Sequence, residues 1–278
     1  MRNSNWIRWG LGAALLLTGG CGRKSNTEWV RPAPTPLTTD ARFDGEPSLS
    51  PDGRQVVFVS FGESDLDLFV IDPARPSERR LLHGGPGDDR QPAYSPDGKR
   101  LAWTLVTGDD SDIMMTGEGG DARRVTVEAG HDQQPAWSAD GTRLAFVSDR
   151  TGRTEIWVTT LSTGQSAPIS AASPPSNDYV LADPAWRGEA VVVSATVDDQ
   201  VDLWEIAATG GAWRRLTAGP ARERHPDPGP GDRLAFTSDT TGYANLYVRE
   251  PDGRITALTD ERTDIFESRW TSDGSRIL

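Results

Sequence analysis

The fold is decided by Glu46–Val59, which reads EPSLSPDGRQVVFV. A Pro-Asp-Gly turn separates a short extended segment from a run rich in Val and Phe. Asp-Gly between apolar runs predicts a tight β-hairpin, because both residues accept the positive φ angles that such a turn requires. The working unit of this chain is therefore a two-stranded hairpin.

The hairpin pattern returns five times along the chain. It reads QPAYSPDGKRLAWT from Gln91, QPAWSADGTRLAFV from Gln134 and HPDPGPGDRLAFTS from His225, with weaker copies, DPAWRGEAVVVS and ESRWTSDGSRIL, from Asp183 and Glu267. The steps are 45, 43, 49, 42 and 42 residues between the anchor positions Pro47, Pro92, Pro135, Pro184, Pro226 and Ser268. A period of this length indicates a repeat architecture.

The repeats predict an all-β, six-bladed β-propeller of four-stranded blades. Second strands such as VVFV and LAFV are continuous apolar runs, as expected for strands buried on both faces. Leu37-Thr38 matches the end of a repeat whose beginning lies at the C-terminus. We therefore expect residues 28–38, with Trp29-Val30 as a candidate third strand, to complete a closing blade whose inner two strands come from residues 268–278. An open solenoid and a truncated seven- or eight-bladed array are the alternatives.

The N-terminus has the pattern of an export signal. Residues 1–20 place Arg2 and Arg8 before a short apolar run, which is typical of a secretory signal peptide. Cys21, the single cysteine of the chain, follows small residues and resembles the lipobox cysteine of bacterial lipoproteins, although Thr18 stands where that family prefers Leu. An ordinary cleaved signal before an incidental cysteine is the alternative. We predict lipidation at Cys21, a tether over residues 21–35 and a propeller over residues 36–278.

The units beginning PAYSPDGKRLAWT and PAWSADGTRLAFVSDRTGRTEIWV resemble the TolB-type, WD-like β-propeller repeat. The resemblance covers about residues 28–278 and implies the propeller fold. It leaves function open, since such propellers serve as periplasmic scaffolds, protease gating domains and lyases. The chain shows neither the α/β domain that precedes the TolB propeller nor the hydrolase domain of the peptidase relatives.

No catalytic motif stands out: GxSxG, HExxH, P-loop and GxGxxG signatures are missing, so we expect no enzyme activity. The residues directly before the anchors are polar and start the innermost strands, so they form a predicted binding ring at the channel mouth: Glu46, Gln91, Gln134, Asp183, His225 and Glu267. A second polar column opens the third strands at Asp67, Asp112, Glu155, Asp202 and Asn245. These side chains either form an acidic binding face or cap turns and keep the surface soluble.

Charge limits the partners. The formal net charge is −12, which disfavours nucleic acids and anionic surfaces and favours a basic patch on a protein partner or a cation. We expect no cofactor. Calcium is the ion that such oxygen ligands would hold, but no EF-hand spacing is present.

Two functions remain from the sequence. The first is an exported, non-catalytic interaction scaffold, anchored by lipid to the periplasmic side of the outer membrane, a location that Gly22 after the cysteine favours by resemblance to lipoprotein sorting. The second is a propeller enzyme of lyase or hydrolase type, in which His131, His225 and the ring carboxylates would hold a metal and a small saccharide or peptide.

Overall fold

The computed structural model describes residues 21–25, 28–30, 37–38, 43–117, 120–172, 174–262, 264–265, 268–271, 274 and 276–277. The predicted signal peptide, residues 1–20, lies outside the described residues, as does the ring residue Glu267.

Five consecutive antiparallel sheets form the described propeller, each with its four strands in chain order. Blade 1 comprises Asp44–Leu49, Val56–Phe61, Leu66–Asp72 and Arg75–His83. Blade 2 comprises Asp88–Tyr94, Leu101–Thr107, Asp110–Thr116 and Ala122–Arg124. Blade 3 comprises Asp132–Trp137, Arg143–Ser148, Glu155–Thr160 and Gln165–Pro168. Blade 4 comprises Tyr179–Arg187, Ala190–Val197, Gln200–Ala207 and Arg214–Arg215. Blade 5 comprises Glu223–Pro228, Leu234–Ser238, Asn245–Arg249 and Ile255–Ala257, with a 3-10 turn at Pro230–Asp232.

A sixth sheet joins the two ends of the chain. Arg276–Ile277 pairs with Cys21–Ser25, which pairs in turn with Glu28–Val30, and Trp270 forms an isolated bridge to Ile277 on the inner side. The predicted all-β propeller with N-terminal strands completing the C-terminal blade is therefore confirmed. The strand order of the closing sheet differs from the prediction in one respect. Cys21–Ser25 is its third strand, and Trp29-Val30, the predicted third strand, lies in the outermost strand. The structure also differs from the predicted tether over residues 21–35, since two strands of the closing sheet lie within it.

The core is built from the second and third strands of each blade. Phe58, Trp103, Phe146 and Phe236 occupy the same position of the second strands in blades 1, 2, 3 and 5, where blade 4 has Val193. All four are among the largest fully buried side chains. Each pairs across the sheet with a third-strand residue, for example Phe58 with Phe69 and Phe146 with Trp157. Aromatic pairs of this kind bury large apolar areas, so these side chains pack the blades.

A tryptophan hydrogen bond ties three pairs of neighbouring blades together. The indole Nε1 of Trp137 donates to the carbonyl of Ala93 at 2.9 Å, and Trp186 donates to Ala136 at 3.0 Å. The guanidinium of Arg143 lies 4.7 Å from the ring of Trp186, with the same arrangement at the other tryptophans of this position. Each such residue adds a hydrogen bond and a cation–π contact between blades.

Candidate functional site

The predicted ring residues share an unusual backbone conformation. Glu46, Gln91, Gln134, Asp183 and His225 have φ between 51° and 57°, a region that costs an L-residue about 1–2 kcal/mol. Each sits at a β-bulge in the first strand, where the pairing with the second strand shifts register. The proline that follows each of them also disfavours the right-handed helical region. Five strained bulges at one level of the propeller are a repeated structural device.

Hydrogen bonds from blade to blade hold this strained backbone in place. The carboxylate of Glu46 accepts from the backbone N–H of Gln91 at 2.7 Å, and the side-chain oxygen of Gln91 accepts from the N–H of Gln134 at 3.1 Å. Gln134 accepts from the N–H of Asp183 at 2.9 Å, and Asp183 accepts from the N–H of His225 at 3.4 Å. Each of the first four ring side chains therefore satisfies the amide of the next ring residue, forming a continuous belt from Glu46 in blade 1 to His225 in blade 5.

Further polar partners lock the belt. Arg90 donates to Glu46 at 2.7 Å, and Ser194 donates to Asp183 at 2.8 Å. The side-chain amide of Gln134 donates to the other oxygen of Asp183 at 3.2 Å. The structure thus brings the described ring residues together as the sequence predicts, half-buried at the innermost strands. The backbone strain and the belt are features that the sequence column did not reveal.

Burial lowers the pKa of His225, against the opposing effect of the Asp183 carboxylate, and nearby Arg224 and Arg269 lower it further. The imidazole is therefore neutral at pH 7. Its Nδ1 lies 3.0 Å from the hydroxyl of Thr237, which itself donates to the Arg224 carbonyl at 3.2 Å. We infer that Nδ1 carries the proton and that Nε2 is an acceptor.

The second predicted column does not form an exposed acidic face. Its members are buried at the starts of the third strands, where most of them have partners. Asp112 and Asp202 form salt bridges with Arg124 and Arg215, and Asn245 accepts from the hydroxyl of Thr259 at 2.8 Å. Burial raises the pKa of Asp112 and Asp202, opposed by those arginines. These residues are buried within the blades, so they form neither the acidic binding face nor the soluble surface that the sequence suggested.

Several loop carboxylates also have structural partners. Asp149 accepts from the backbone N–H of His131 at 2.7 Å, and Asp239 accepts from that of Arg222 at 2.8 Å. His131 is exposed, whereas His225 lies half-buried in the ring. In the described part of the chain, no three His, Cys, Asp or Glu side chains are grouped in a way that could hold a metal ion.

A third acidic column escaped the sequence prediction. The residue three positions before the anchor proline is acidic and buried in four blades: Asp44, Asp89, Asp132 and Glu223. A cation faces three of them: Arg79 faces Asp44, His83 faces Asp89, and Arg150 faces Asp132. The side-chain hydrogen bond to Asp89 is the main factor that raises the pKa of His83, although burial opposes it. The regular spacing of these acids was visible in the sequence, but their cations come from different positions.

Comparison with known proteins decides the family. The family model of the TolB beta propeller domain matches residues 37–176, which is half of the chain. The chain belongs to the TolB β-propeller family. A curated relative, the Tol-Pal system protein TolB of Francisella tularensis subsp. mediasiatica, is 33% identical over 220 residues, covering 74% of this chain and 48% of the relative. This TolB-like chain thus spans about half the length of the curated relatives it matches.

Solved structures agree on the fold. TolB from Acinetobacter baumannii superposes with a TM-score of 0.73 at 19% identity, covering 86% of this chain and 60% of that one. An oligogalacturonate lyase from Vibrio parahaemolyticus superposes with a TM-score of 0.61 at 15% identity, covering 87% of this chain and 72% of that one. Propellers of this shape therefore include TolB proteins and an enzyme, and the fold alone does not choose between them. No helix in the described residues is long and apolar enough to cross a membrane.

Proposed function

We propose that this TolB-like propeller is an exported, membrane-tethered and non-catalytic scaffold for protein–protein interactions in the bacterial cell envelope. The family supports this function, because the curated relative is a Tol-Pal system protein. We place the protein on the periplasmic side of the outer membrane, anchored as a lipoprotein through Cys21.

The ring is the observation that carries the proposal. Its side chains are fixed by the hydrogen-bonded belt before any partner arrives, so little conformational entropy is lost when a partner binds. Asp183 supplies negative charge there, and the charge of Glu46 is shared with Arg90, in a chain with a formal net charge of −12. A basic patch on an envelope protein is the complementary partner, and nucleic acid is not.

The lipid anchor would place the closing sheet next to the membrane. The backbone of Cys21 pairs with Ile277, so acyl chains on this residue would start directly from the third strand of the closing sheet with no intervening tether. Mass spectrometry of the mature protein tests this part of the proposal: a diacylglyceryl or triacyl mass on Cys21 supports it, and an unmodified N-terminus elsewhere contradicts it.

Capture from detergent extracts of the native envelope tests the scaffold function. The full chain is the bait, and the ring is altered by Glu46→Gln with Asp183→Asn, which removes two charges but keeps oxygen acceptors for the belt. The matched control, Glu189→Gln with Asp52→Asn, removes the same charges at exposed positions.

We expect one protein to be retained by the native chain and by the control, and at least tenfold less of it by the ring variant. Retention in chelator as well as in calcium fits a scaffold without a metal. Equal capture by the ring variant, or capture only with calcium, would contradict the proposal.

A further inference from the structure

Blades 1 and 3 each contain an internal cage that holds a guanidinium group. In blade 3, Arg150 lies 5.5 Å from the ring centroid of Phe146 and 4.5 Å from that of Trp157. It donates to Ser148 at 2.9 Å and to Asp132 at 2.6 Å. Two aromatic rings, a serine hydroxyl and a buried carboxylate therefore surround one arginine.

The blade 1 cage has the same geometry with an arginine from another position. Arg79, on the outermost strand, lies 5.4 Å from Phe58 and 4.3 Å from Phe69. It donates to Ser60 at 2.9 Å and lies 3.5 Å from Asp44. Arg79 reaches this place from the outermost strand and Arg150 from the turn after the second strand, so the same cage holds a guanidinium that arrives from two different positions.

Blade 5 has the cage residues without the arginine. Glu223 pairs with Ser238 and Phe236 pairs with Tyr247, in the same register as their counterparts in blades 1 and 3. The rings of Phe236 and Tyr247 stand 5.9 Å apart at 25°, close to the 6.2 Å and 31° of Phe58 and Phe69. Thr240 occupies the position of Arg150, since SDTTG at residues 238–242 replaces SDRTG at residues 148–152.

An open cavity of about 370 Å³ lies where the guanidinium would be. Glu223, Phe236, Ser238 and Tyr247 form its buried wall, and exposed residues, including Gly219 and Thr240, surround its mouth. Within the described part of the chain, Glu223 has no basic side chain at salt-bridge distance. It contacts the hydroxyl groups of Thr217 and Ser238 at 3.4 Å and shares a hydrogen bond with the carboxyl group of Asp202.

The other blades show that this combination is particular to blade 5. In blade 2, the Asp89 carboxylate is already hydrogen-bonded to Nδ1 of His83 and to the indole N–H of Trp103, each at 2.7 Å. In blade 4 the acid is replaced by Leu181, and aromatic side chains fill the space around Trp204. A buried acid facing an open cavity is therefore left in blade 5 alone among the five described blades.

We propose that the blade 5 cavity is a binding site for a guanidinium group from outside the chain, carried by an arginine side chain of a basic partner. A planar guanidinium can lie on the rings while bonding the carboxylate and the hydroxyl from different nitrogens, as Arg79 and Arg150 do. An ammonium group has no flat face for this arrangement. The site lies apart from the ring and does not depend on the function proposed for it.

The state of Glu223 is consistent with this site. Burial, with a smaller contribution from the neighbouring Asp202 carboxylate, raises its pKa to about 7, against the opposing hydrogen bonds to Thr217 and Ser238. Asp202 is itself paired with Arg215, and Asp239 lies at the cavity mouth. Guanidinium binding should therefore weaken as the pH falls below about 7.

Calorimetric titration of the full chain with Nα-acetyl-arginine methylamide tests the site, with the citrulline and lysine analogues as controls. We expect the arginine probe to bind at least tenfold more tightly than the neutral citrulline probe, and more tightly than the lysine probe. Free L-arginine is titrated in parallel: tighter binding of the blocked form points to a protein side chain, and tighter binding of the free form to a small-molecule ligand.

Two variants locate the binding. Glu223→Gln should lower the affinity for the arginine probe at least fivefold, whereas Glu189→Gln on the exposed surface should leave that affinity unchanged. Thr240→Arg restores the blade 3 sequence, so it should fill the cavity, abolish probe binding and raise the melting temperature. Equal binding of arginine and citrulline probes, or arginine binding unchanged in Thr240→Arg, would overturn the proposal. Because the second variant is expected to be more stable than the native chain, unfolding of Glu223→Gln would not block the test.

Discussion

Replacing Asp183 with alanine should break the belt at its most connected point. The carboxylate accepts from Ser194 at 2.8 Å, from the side chain of Gln134 at 3.2 Å and, more weakly, from the N–H of His225 at 3.4 Å. The substitution leaves these donors without an acceptor and keeps the positive φ of the bulge, which alanine tolerates poorly.

The magnitude follows from the two shorter hydrogen bonds. A hydrogen bond to a charged group contributes about 1.5 kcal/mol or more, so two give about 3 kcal/mol. Asp183 is half-buried, so water can replace part of the lost hydrogen bonding. We therefore expect the free energy of unfolding to fall by about 2 kcal/mol. For a domain of this size that corresponds to a fall of about 4–8 °C in melting temperature.

Urea unfolding of the full chain, followed by tryptophan fluorescence, measures the change. Asp183→Asn is the matched variant, because it keeps an acceptor oxygen and should recover most of the stability. Glu189→Ala is the surface control: its side chain is 82% exposed and its salt bridge with Arg143 should contribute less than about 0.5 kcal/mol. If Asp183→Ala unfolds within 0.5 kcal/mol of the native chain, the belt does not hold the blades together and the interpretation is wrong.

Three further predictions test other parts of the structure. Ile277→Ala should lower the free energy of unfolding by about 2–4 kcal/mol in chemical denaturation, since the side chain is fully buried in the closing sheet. Unchanged stability would contradict the closing of the propeller by this sheet. Trp186→Phe should lower the free energy of unfolding by about 1 kcal/mol in the same assay, because it loses the hydrogen bond to the Ala136 carbonyl. Unchanged stability would show that this hydrogen bond does not stabilise the packing of the blades. Burial raises the pKa of Glu223 from 4.5 to about 7, so the fold binds more protons than the unfolded chain between these values and this group's contribution to stability falls as the pH rises through that range. Glu223→Gln should therefore flatten melting temperature against pH between 5 and 7, and an unchanged slope would assign the dependence to other groups.

The fold could be predicted from the repeated hairpin sequence, because the turn and strand patterns of each repeat are local. Asp-Gly turns recur at four of the six anchors and apolar second strands follow the anchors of all five complete units, so the blade boundaries and the shared closing sheet could be read from spacing. Residues 21–25 could not be read in this way, since CGRKS has no strand pattern and forms a strand by pairing with Arg276–Ile277 on one side and Glu28–Val30 on the other. Long-range pairing of a polar segment leaves no periodic signal.

The candidate site was only partly predictable. The ring column was found because Glu46 and its counterparts precede the anchor positions, but nothing in a polar residue before an anchor reveals a positive φ or a bond to the next blade. The acidic second column was misread as a possible surface because charge was taken as a sign of exposure, whereas Asp112 and Asp202 are buried beside arginines. The blade 5 cavity needed the structure, because Arg79 and Arg150 come from unrelated sequence positions.

Site-specific photocrosslinking in the native envelope tests the proposed scaffold function most directly. A benzoylphenylalanine is placed at Gln91 in the ring and, in a separate full-length chain, at Lys99 in the exposed hairpin turn. Partner docking at the ring predicts one discrete crosslinked protein from position 91 and none from position 99. Crosslinks of equal yield from both positions, or from position 99 alone, would contradict docking at the ring.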